Sequence, residues 1–533
     1  MTRAYQERGY WTKELLGDLL APALRRDASR PALITADLTL TYAELDAAAE
    51  RRAAGLRARG LAPGDPVVVQ LPNGAELVIL CLALFRTGVL PVFALPAHRT
   101  LEISHLVASS DAVAYFCADR GPDCDYREIA QQVLARTDSL KDVYVLGDPG
   151  PFTGLDDLDA DPSDTPVTAA DGPRDATDVA FFLLSGGTSG PPKLIPRTHA
   201  DYIHQLRLSA RLCDVGPESR YLAALPVEHN FALGCPGVLG TLRAGGAVVP
   251  APAPTPEECF PLIERARVTV TSLVPSLVPL WLEATEWSRN DLSSLRLLQV
   301  GGARLDPATA RAVSPALGCT LQQVYGMAEG LLNYTRLDDP DDLVHHSQGR
   351  PLSPGDEIRL VREDGTEADE GEAGELLTRG PYTLRGYYRA PERNRTHFTE
   401  DGFYRTGDLV RRFAGGNFEV VGRLNDVINR GGEKVPAQEV EEYLLLEPRI
   451  RAASVVGLPH PLLGEQTCAC VVVRDDTVAP TLREVQRWLR DQGMASYKLP
   501  DRLVVLDELP LTGVGKVDKK ELRAGLAEPA GGA

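Results

Sequence analysis

An α/β fold is predicted: a large N-terminal domain of layered sheets flanked by helices, and a smaller C-terminal α+β domain. Two observations predict it. Short apolar runs ending in Gly, Pro or Asn alternate with longer stretches of helical spacing, the pattern of strands and helices in a layered α/β protein. After the stretch Gly422–Gly432 a fresh set of helix and strand signals runs to about Lys520, which marks off a second unit. The expected domains are 1–424 and 425–533.

Leu40–Gly60 reads as a helix. Thr41 is placed to cap it, Glu44 follows three residues on, and alanines and leucines recur at helical spacing. Val67–Leu71 is a mostly apolar strand stopped by Pro72-Asn73-Gly74, and Ala75–Gly88 is the helix after it. Val143–Leu146 is a strand that stops at Gly147. Segment 151–177, rich in Asp, Pro, Gly and Thr, reads as a solvated connector. Val179–Leu184 runs into a loop that begins at Ser185. Val268–Thr271 and Leu297–Val300 are further strands, the second ending at Gly301-Gly302. Phe418–Val421 is strand-like, and Glu528–Ala533 reads as a frayed tail. No internal repeat stands out. In open α/β sheets ligands gather beyond the carboxyl ends of strands, which is where the glycine loops fall.

Composition narrows the function. Hydrophobic residues make up 44% of the 533-residue chain, enough for large cores and against disorder. Lys+Arg total 56 against 74 Asp+Glu, a net charge of −18, which argues against general binding to nucleic acid or anionic membranes. A local basic pocket for a nucleotide stays open. The nine cysteines are scattered; only Cys468 and Cys470 lie close, and that spacing alone is no zinc signature. Scattered cysteines fit a reducing compartment. Met1–Trp11 is polar, unlike a signal peptide, and the apolar run Leu77–Phe85 is too short to span a bilayer. A cytoplasmic protein is expected, with no nucleic-acid or membrane partner.

Four clusters carry chemistry. In Ser185-Gly186-Gly187-Thr188-Ser189-Gly190-Pro191-Pro192-Lys193, glycines let backbone N–H groups approach phosphate oxygens, hydroxyls add donors and the lysine adds charge. Pro191 after Gly190 rules out the Walker pattern, and a plain surface loop is the alternative. In Tyr325-Gly326-Met327-Ala328-Glu329 the ring can stack on a purine and the carboxylate can hold Mg²⁺; a helix start with a solvated Glu is the alternative. In Tyr404-Arg405-Thr406-Gly407-Asp408, with Arg423 shortly after, the aspartate can accept from both ribose hydroxyls or sit in a turn. In Thr512-Gly513-Val514-Gly515-Lys516, glycines suit a mobile loop presenting Lys516, whose ammonium can stabilise charge where a carboxylate attacks phosphate; an exposed lysine is the alternative.

In this order the four clusters resemble the adenylate-forming superfamily: acyl-CoA synthetases, luciferases and the adenylation domains of nonribosomal peptide synthesis. The resemblance covers nearly the whole chain. The stretches Ser185–Arg197, Leu321–Arg336, Thr378–Tyr387 and Asn429–Lys434 are similar to the stand-alone aryl-acid adenylating enzymes of siderophore pathways. The resemblance implies an enzyme that makes an aryl-AMP from an aryl acid and ATP, with Mg²⁺, and releases pyrophosphate. It then implies transfer of the aryl group to the phosphopantetheine thiol of an aryl carrier protein, the mobile C-terminal domain rotating between the steps. No Gly-Gly-Asp-Ser-like carrier stretch follows Lys516, so the carrier is expected to be another chain.

By matching position, Ser185, Gly186, Gly187, Thr188, Ser189, Gly190 and Lys193 would wrap the ATP phosphates. Gly302, Ala303, Val324, Tyr325, Gly326 and Met327 would line the adenine side, and Asp408 and Arg423 would bind ribose, with Val420 also at the nucleotide. Glu329 would hold Mg²⁺. Lys516 would contact carboxylate and phosphate oxygens during adenylation only. His229 would act beside Asn230 at the aryl acid, with Asn230 set for its carboxylate and 2-hydroxyl. Phe231, Gly301 and Ala328 would complete that pocket. Gly432 and Lys434 would serve the transfer step, and Asn425, where relatives carry Asp or Lys, would be the hinge.

The substrate is read from Cys235 and Leu332. In the 2,3-dihydroxybenzoate enzymes these positions resemble Ser and Val. Cysteine is larger than serine and a poor hydrogen-bond partner, and leucine is larger than valine, so a 3-hydroxyl loses both partner and space. The pair resembles the salicylate-activating members, with methylated salicylates also admitted. The plain alternative makes Cys235 a small buried apolar residue. The competing functions are 2,3-dihydroxybenzoate-AMP ligase, an aryl-CoA synthetase using free CoA, and a binding protein without catalysis. The joint presence of Lys516, Glu329, Asp408 and Arg423 speaks against the last.

Overall fold

The computed structural model describes residues 2–121, 124–163, 175–185, 192–430, 433–460, 463–475, 477–492, 494, 498–512 and 515–526. The chain forms two compact units, Met1–Glu357 with Thr378–Tyr404, and Ile358–Leu377 with Arg405–Ala533. The boundary expected at 424/425 falls inside the second unit, because that unit also holds most of a four-stranded sheet built from Glu357–Val361, Ala373–Arg379, Tyr404–Arg412 and Phe418–Arg423.

The first unit contains two large sheets. One has seven strands, in the order Thr153–Gly154, Asp142–Leu146, Ala114–Ala118, Pro66–Gln70, Leu90–Phe93, Val179–Leu184 and Leu194–Thr198. Its neighbours are parallel except for the last two, which form an antiparallel hairpin. Val67, Val68 and Val69 are all buried, as a strand covered on both faces requires. The second sheet has nine strands, with Arg220–Ala223, Ala247–Pro250, Val270–Leu273, Leu297–Gly301 and Thr320–Gly326 forming its parallel centre. Antiparallel strands Leu332–Tyr334 and Arg350–Pro351 close one side.

The helix expected over Leu40–Gly60 forms at Tyr42–Ala58. Thr41 caps it: its hydroxyl accepts from the Glu44 N–H at 3.2 Å, and its own N–H donates to the Glu44 carboxylate at 2.8 Å. Ala75–Thr87 ends on Gly88 in the left-handed region, as a terminating glycine allows. Val268–Thr271 is shifted, since the strand is Val270–Leu273. The solvated connector at 151–177 is corrected in part. Thr153–Gly154 adds an edge strand, and Leu155 and Leu158 are buried in the core; residues 164–174 lie outside the described residues. Two apolar side chains among many polar ones give no periodic signal. The tail Glu528–Ala533 also lies outside.

The second unit adds a five-stranded sheet, in which Ile450–His460 and Gly464–Val473 form a long antiparallel pair. Helices Ala437–Leu445 and Leu482–Asp491 contribute Val440, Leu444, Val485 and Leu489 to its core. No helix of the described residues is long and apolar enough to cross a membrane.

Candidate active site

In the first unit the hairpin Val179–Leu184/Leu194–Thr198 holds the mouth of the first cluster. The Ser185 N–H donates to the Lys193 carbonyl at 3.1 Å, and the Lys193 N–H donates to Ser185 Oγ at 3.2 Å. Gly186, Gly187, Thr188, Ser189 and Gly190, between these ends, lie outside the described residues. The Lys193 ammonium stands 5.1 Å from the Tyr387 ring centre. Burial, and then Arg393, lower its pKa, while Glu329 acts in the opposite direction.

The second cluster is no helix start. Thr320–Gly326 is a strand, Met327–Leu331 is a tight turn, and Glu329 is only 8% exposed. The turn lies directly on the loop before Tyr387. The Leu384 N–H donates to the Glu329 carbonyl at 2.7 Å, and a Cβ on Gly330 would stand 2.4 Å from Thr383 Cα. The Tyr387 hydroxyl meets Glu329 Oε1 at 2.8 Å and the Tyr404 hydroxyl at 2.9 Å. Burial first, then the Glu329 charge, hold the Tyr387 hydroxyl far above the ordinary phenol range. Beneath this turn lies Arg197, fully buried. Its guanidinium donates to Asp201 at 3.0 Å, Gln205 at 2.9 Å and the Ala328 carbonyl at 3.1 Å, and its charge lies over the Tyr202 ring.

The predicted aryl residues come together in one core at the carboxyl ends of the parallel strands. His229 Nδ1 accepts from the Phe231 N–H at 3.3 Å and so starts the short helix Asn230–Gly234. Glu228, beside it, is buried, and burial pushes its carboxyl up to about 8. Asn230 Oδ1 accepts from the Tyr202 hydroxyl at 2.9 Å and from Gln205 Nε2 at 3.3 Å. Its NH₂ group therefore faces away from those donors, 3.8 Å from Cys235 Sγ. The Cys235 thiol donates to the Asn230 carbonyl at 3.4 Å, and burial pushes its pKa up to about 12, so it stays a thiol. Gly301 has no room for a side chain: a Cβ would lie 2.7 Å from the Val324 carbonyl and 3.1 Å from the Phe231 ring. Leu332 and Tyr334 share one face of their strand, and both are buried with Cys235. Val324 is paired opposite Tyr334, and Gly302 and Ala303 follow the end of Leu297–Gly301.

In the second unit Asp408 and Arg423 face each other across an antiparallel pair, with Arg423 Nε donating to Asp408 Oδ1 at 2.7 Å. Val420 lies opposite Val410 in the same pair. Lys516 sits on a tight turn in which the Thr512 N–H donates to the Lys516 carbonyl at 2.6 Å and Leu511 bridges Val517. Asn425 lies in the short turn Leu424–Asp426 and Lys434 in the strand Glu433–Pro436; only their backbones are described. Gly432 lies outside the described residues. Lys519 and Arg523 approach Asp426 at 3.9 and 3.5 Å, tying the segment after Asn425 to the last helix.

The AMP-binding enzyme family model matches residues 20–388, and the model of the AMP-binding enzyme C-terminal domain matches residues 439–516. The chain belongs to the AMP-binding enzyme family. This AMP-binding enzyme is 48% identical to the 2,3-dihydroxybenzoate-AMP ligase of Bacillus subtilis, over 99% of this chain and 96% of that protein. It is 47% identical to the salicyl-AMP ligase / salicyl-S-ArCP synthetase of Mycobacterium tuberculosis, over 97% and 92%. Among solved structures it resembles apo MbtA of Mycobacterium smegmatis at TM-score 0.76 and 45% identity, covering 98% of this chain and 97% of that one. The kinship with aryl acid-AMP ligases expected from the motifs stands, as does the α/β class with a large first and smaller second domain.

Sequence reading of this AMP-binding enzyme missed several residues beside the predicted ones. Tyr202 and Gln205 orient Asn230, Arg197 supports the Ala328 turn, and Tyr387 and Tyr404 reach Glu329. Arg197 and Tyr387 close two stretches already picked out by resemblance. Their chemistry was hidden because each acts on a residue far along the chain.

Proposed function

We propose that the chain adenylates an aryl acid, salicylate or a substituted salicylate, with ATP, and then transfers the aryl group to the phosphopantetheine thiol of a separate aryl carrier protein. The observation that carries this reading is the state of Asn230. Its amide oxygen is held by Tyr202 and Gln205, which turns its NH₂ toward Cys235 Sγ at 3.8 Å, and Cys235 shares its core with Leu332. An amide donor set among apolar side chains suits a carboxylate with an ortho-hydroxyl on an aromatic ring. Because the Cys235 thiol already donates to the Asn230 carbonyl, it offers a ring 3-hydroxyl little.

Glu329 suits Mg²⁺. Among the described residues no three His, Cys, Asp or Glu side chains gather as a metal cluster. One buried carboxylate, with one oxygen hydrogen-bonded by Tyr387, matches an ion that takes one or two protein carboxylates and fills its shell with phosphate oxygens and water. When bound with ATP, the ion would neutralise phosphate charge. Ser185 and Lys193, at the two ends of the glycine loop, would hold the phosphates. Gly302, Ala303, Val324, Tyr325, Gly326 and Met327 would line the base, and Asp408, Val420 and Arg423 would serve the nucleotide. His229 would orient the helix that presents Asn230. Lys516 would stabilise charge as the carboxylate attacks, and a turn about Asn425 would exchange Lys516 for Gly432 and Lys434 in the transfer step.

Exchange of labelled pyrophosphate into ATP, measured with salicylate and with 2,3-dihydroxybenzoate, tests the substrate. The expected result is higher kcat/KM with salicylate. Cys235→Ser, which restores a small hydroxyl, is expected to raise the 2,3-dihydroxybenzoate to salicylate ratio about five- to tenfold, the worth of one hydrogen bond. A parent protein that turns over 2,3-dihydroxybenzoate as well or better sinks the salicylate assignment and favours the dihydroxybenzoate ligase.

A further inference from the structure

The Glu329 carboxylate is not held by any lysine or arginine ion pair among the described contacts, although it is nearly buried. Its contact is a phenol. The Tyr387 hydroxyl has one proton, and it donates that proton to Glu329 Oε1 at 2.8 Å. The 2.9 Å contact between the two phenols then runs one way, with Tyr404 donating and Tyr387 accepting. Both rings are buried, at 4% and 5% exposure.

Each ring is pinned by its neighbours. His397 packs edge-on against Tyr387 with centres 5.9 Å apart, and Phe398 packs on Tyr404 at 5.5 Å. Asn394 clamps the Tyr387 backbone from both sides, accepting from its N–H at 2.8 Å and donating to its carbonyl at 3.0 Å. The same Tyr387 ring lies under the Lys193 ammonium. One side chain thus touches both the carboxylate and the cation assigned to the metal–phosphate end of the site. A hydrogen bond on Oε1 restrains the carboxylate's rotation.

We propose that Tyr387 is a positioning residue for the metal–nucleotide complex, and that Tyr404 acts through it in a relay Tyr404→Tyr387→Glu329. The relay rests on the reading of Glu329 as the Mg²⁺ carboxylate. It orders the carboxylate before the nucleotide arrives, so its loss falls on metal–nucleotide binding and leaves the aryl acid pocket alone.

The test is Mn²⁺ binding in the presence of ATP, followed by the loss of the free-ion electron paramagnetic resonance signal, for the parent, Tyr387→Phe, Tyr404→Phe and the double variant. Removing a hydrogen bond to a charged group predicts Mn²⁺ affinity about tenfold weaker in Tyr387→Phe. Tyr404→Phe is expected to be about threefold weaker, as a bond one step removed. The double variant is expected to match Tyr387→Phe, because the Tyr404 hydroxyl meets the carboxylate through the Tyr387 hydroxyl. The KM for the aryl acid in pyrophosphate exchange stays within about twofold, since the Tyr387 hydroxyl is engaged with Glu329 and Tyr404. Parent-like Mn²⁺ affinity in both single variants, or additive losses in the double, overturns the relay. A parent that binds Mn²⁺–ATP but shows no aryl-acid-dependent exchange overturns the proposed function and leaves the relay to be judged on the Mn²⁺ series alone. A parent that binds no Mn²⁺ with ATP overturns the relay itself.

Discussion

Lys516→Ala is expected to cut aryl-acid-dependent pyrophosphate exchange by roughly 10²–10³-fold, the usual cost of removing one donor that meets transition-state charge. The backbone of its turn is closed without the side chain. The turn that presents it is closed by the Thr512 N–H to the Lys516 carbonyl, by the Lys516 N–H to Thr512 Oγ1, and by Gly515 at φ +77°. None of these bonds uses the ammonium. The helix Lys519–Leu526 that follows is capped separately by Asp518, which accepts from the Lys520 and Glu521 N–H groups at 3.0 Å. Transfer from supplied aryl-AMP to a holo carrier protein is therefore expected to stay within about threefold of the parent. Rapid-quench measurement of each half-reaction checks both numbers. Equal loss in the two would contradict a lysine that serves adenylation alone.

Arg197→Ala is expected to destabilise the first unit by about 3–5 kcal/mol, the cost of stranding the partner of a buried ion pair. The guanidinium is 0% exposed and is shared among Asp201, Gln205 and the carbonyls of Ala328 and Tyr382. Without it Asp201 is left buried with a carboxyl that burial already raises and Arg197 lowers. Arg197→Met together with Asp201→Asn is expected to lose less than Arg197→Ala alone, because no charge is then left unpaired. Urea denaturation of the three proteins at pH 7 gives the comparison. A single variant within about 1 kcal/mol of the parent would show that the buried network carries far less than its geometry implies.

What was legible in the sequence was whatever a local pattern encodes. Thr41 and Glu44 announce a helix start three residues apart, and both halves of the capping box form. Val179–Leu184 is apolar throughout because its sheet is covered on both faces, and its bounds come out as read. What stayed hidden depends on contacts distant in the chain. The Asp-rich segment after residue 151 conceals Leu155 and Leu158, which are core residues by virtue of the sheet beside them. Glu329 read in isolation as a solvated helix residue, yet Leu384 and Tyr387, more than fifty positions on, bury and hold it. The site followed the same rule. Asn230, Cys235 and Leu332 were found by position within a motif, while the groups that orient Asn230, namely Tyr202 and Gln205, belong to a helix that carried no motif.

The central claim is chemical: the chain joins an aryl acid to AMP. Mass spectrometry of a single-turnover reaction with salicylate, ATP and Mg²⁺ tests it most directly. The account predicts salicyl-AMP held by the protein, with one pyrophosphate released for each adenylate formed and both products dependent on the acid. ADP and phosphate in place of AMP and pyrophosphate, or ATP cleavage that ignores the aryl acid, would contradict it.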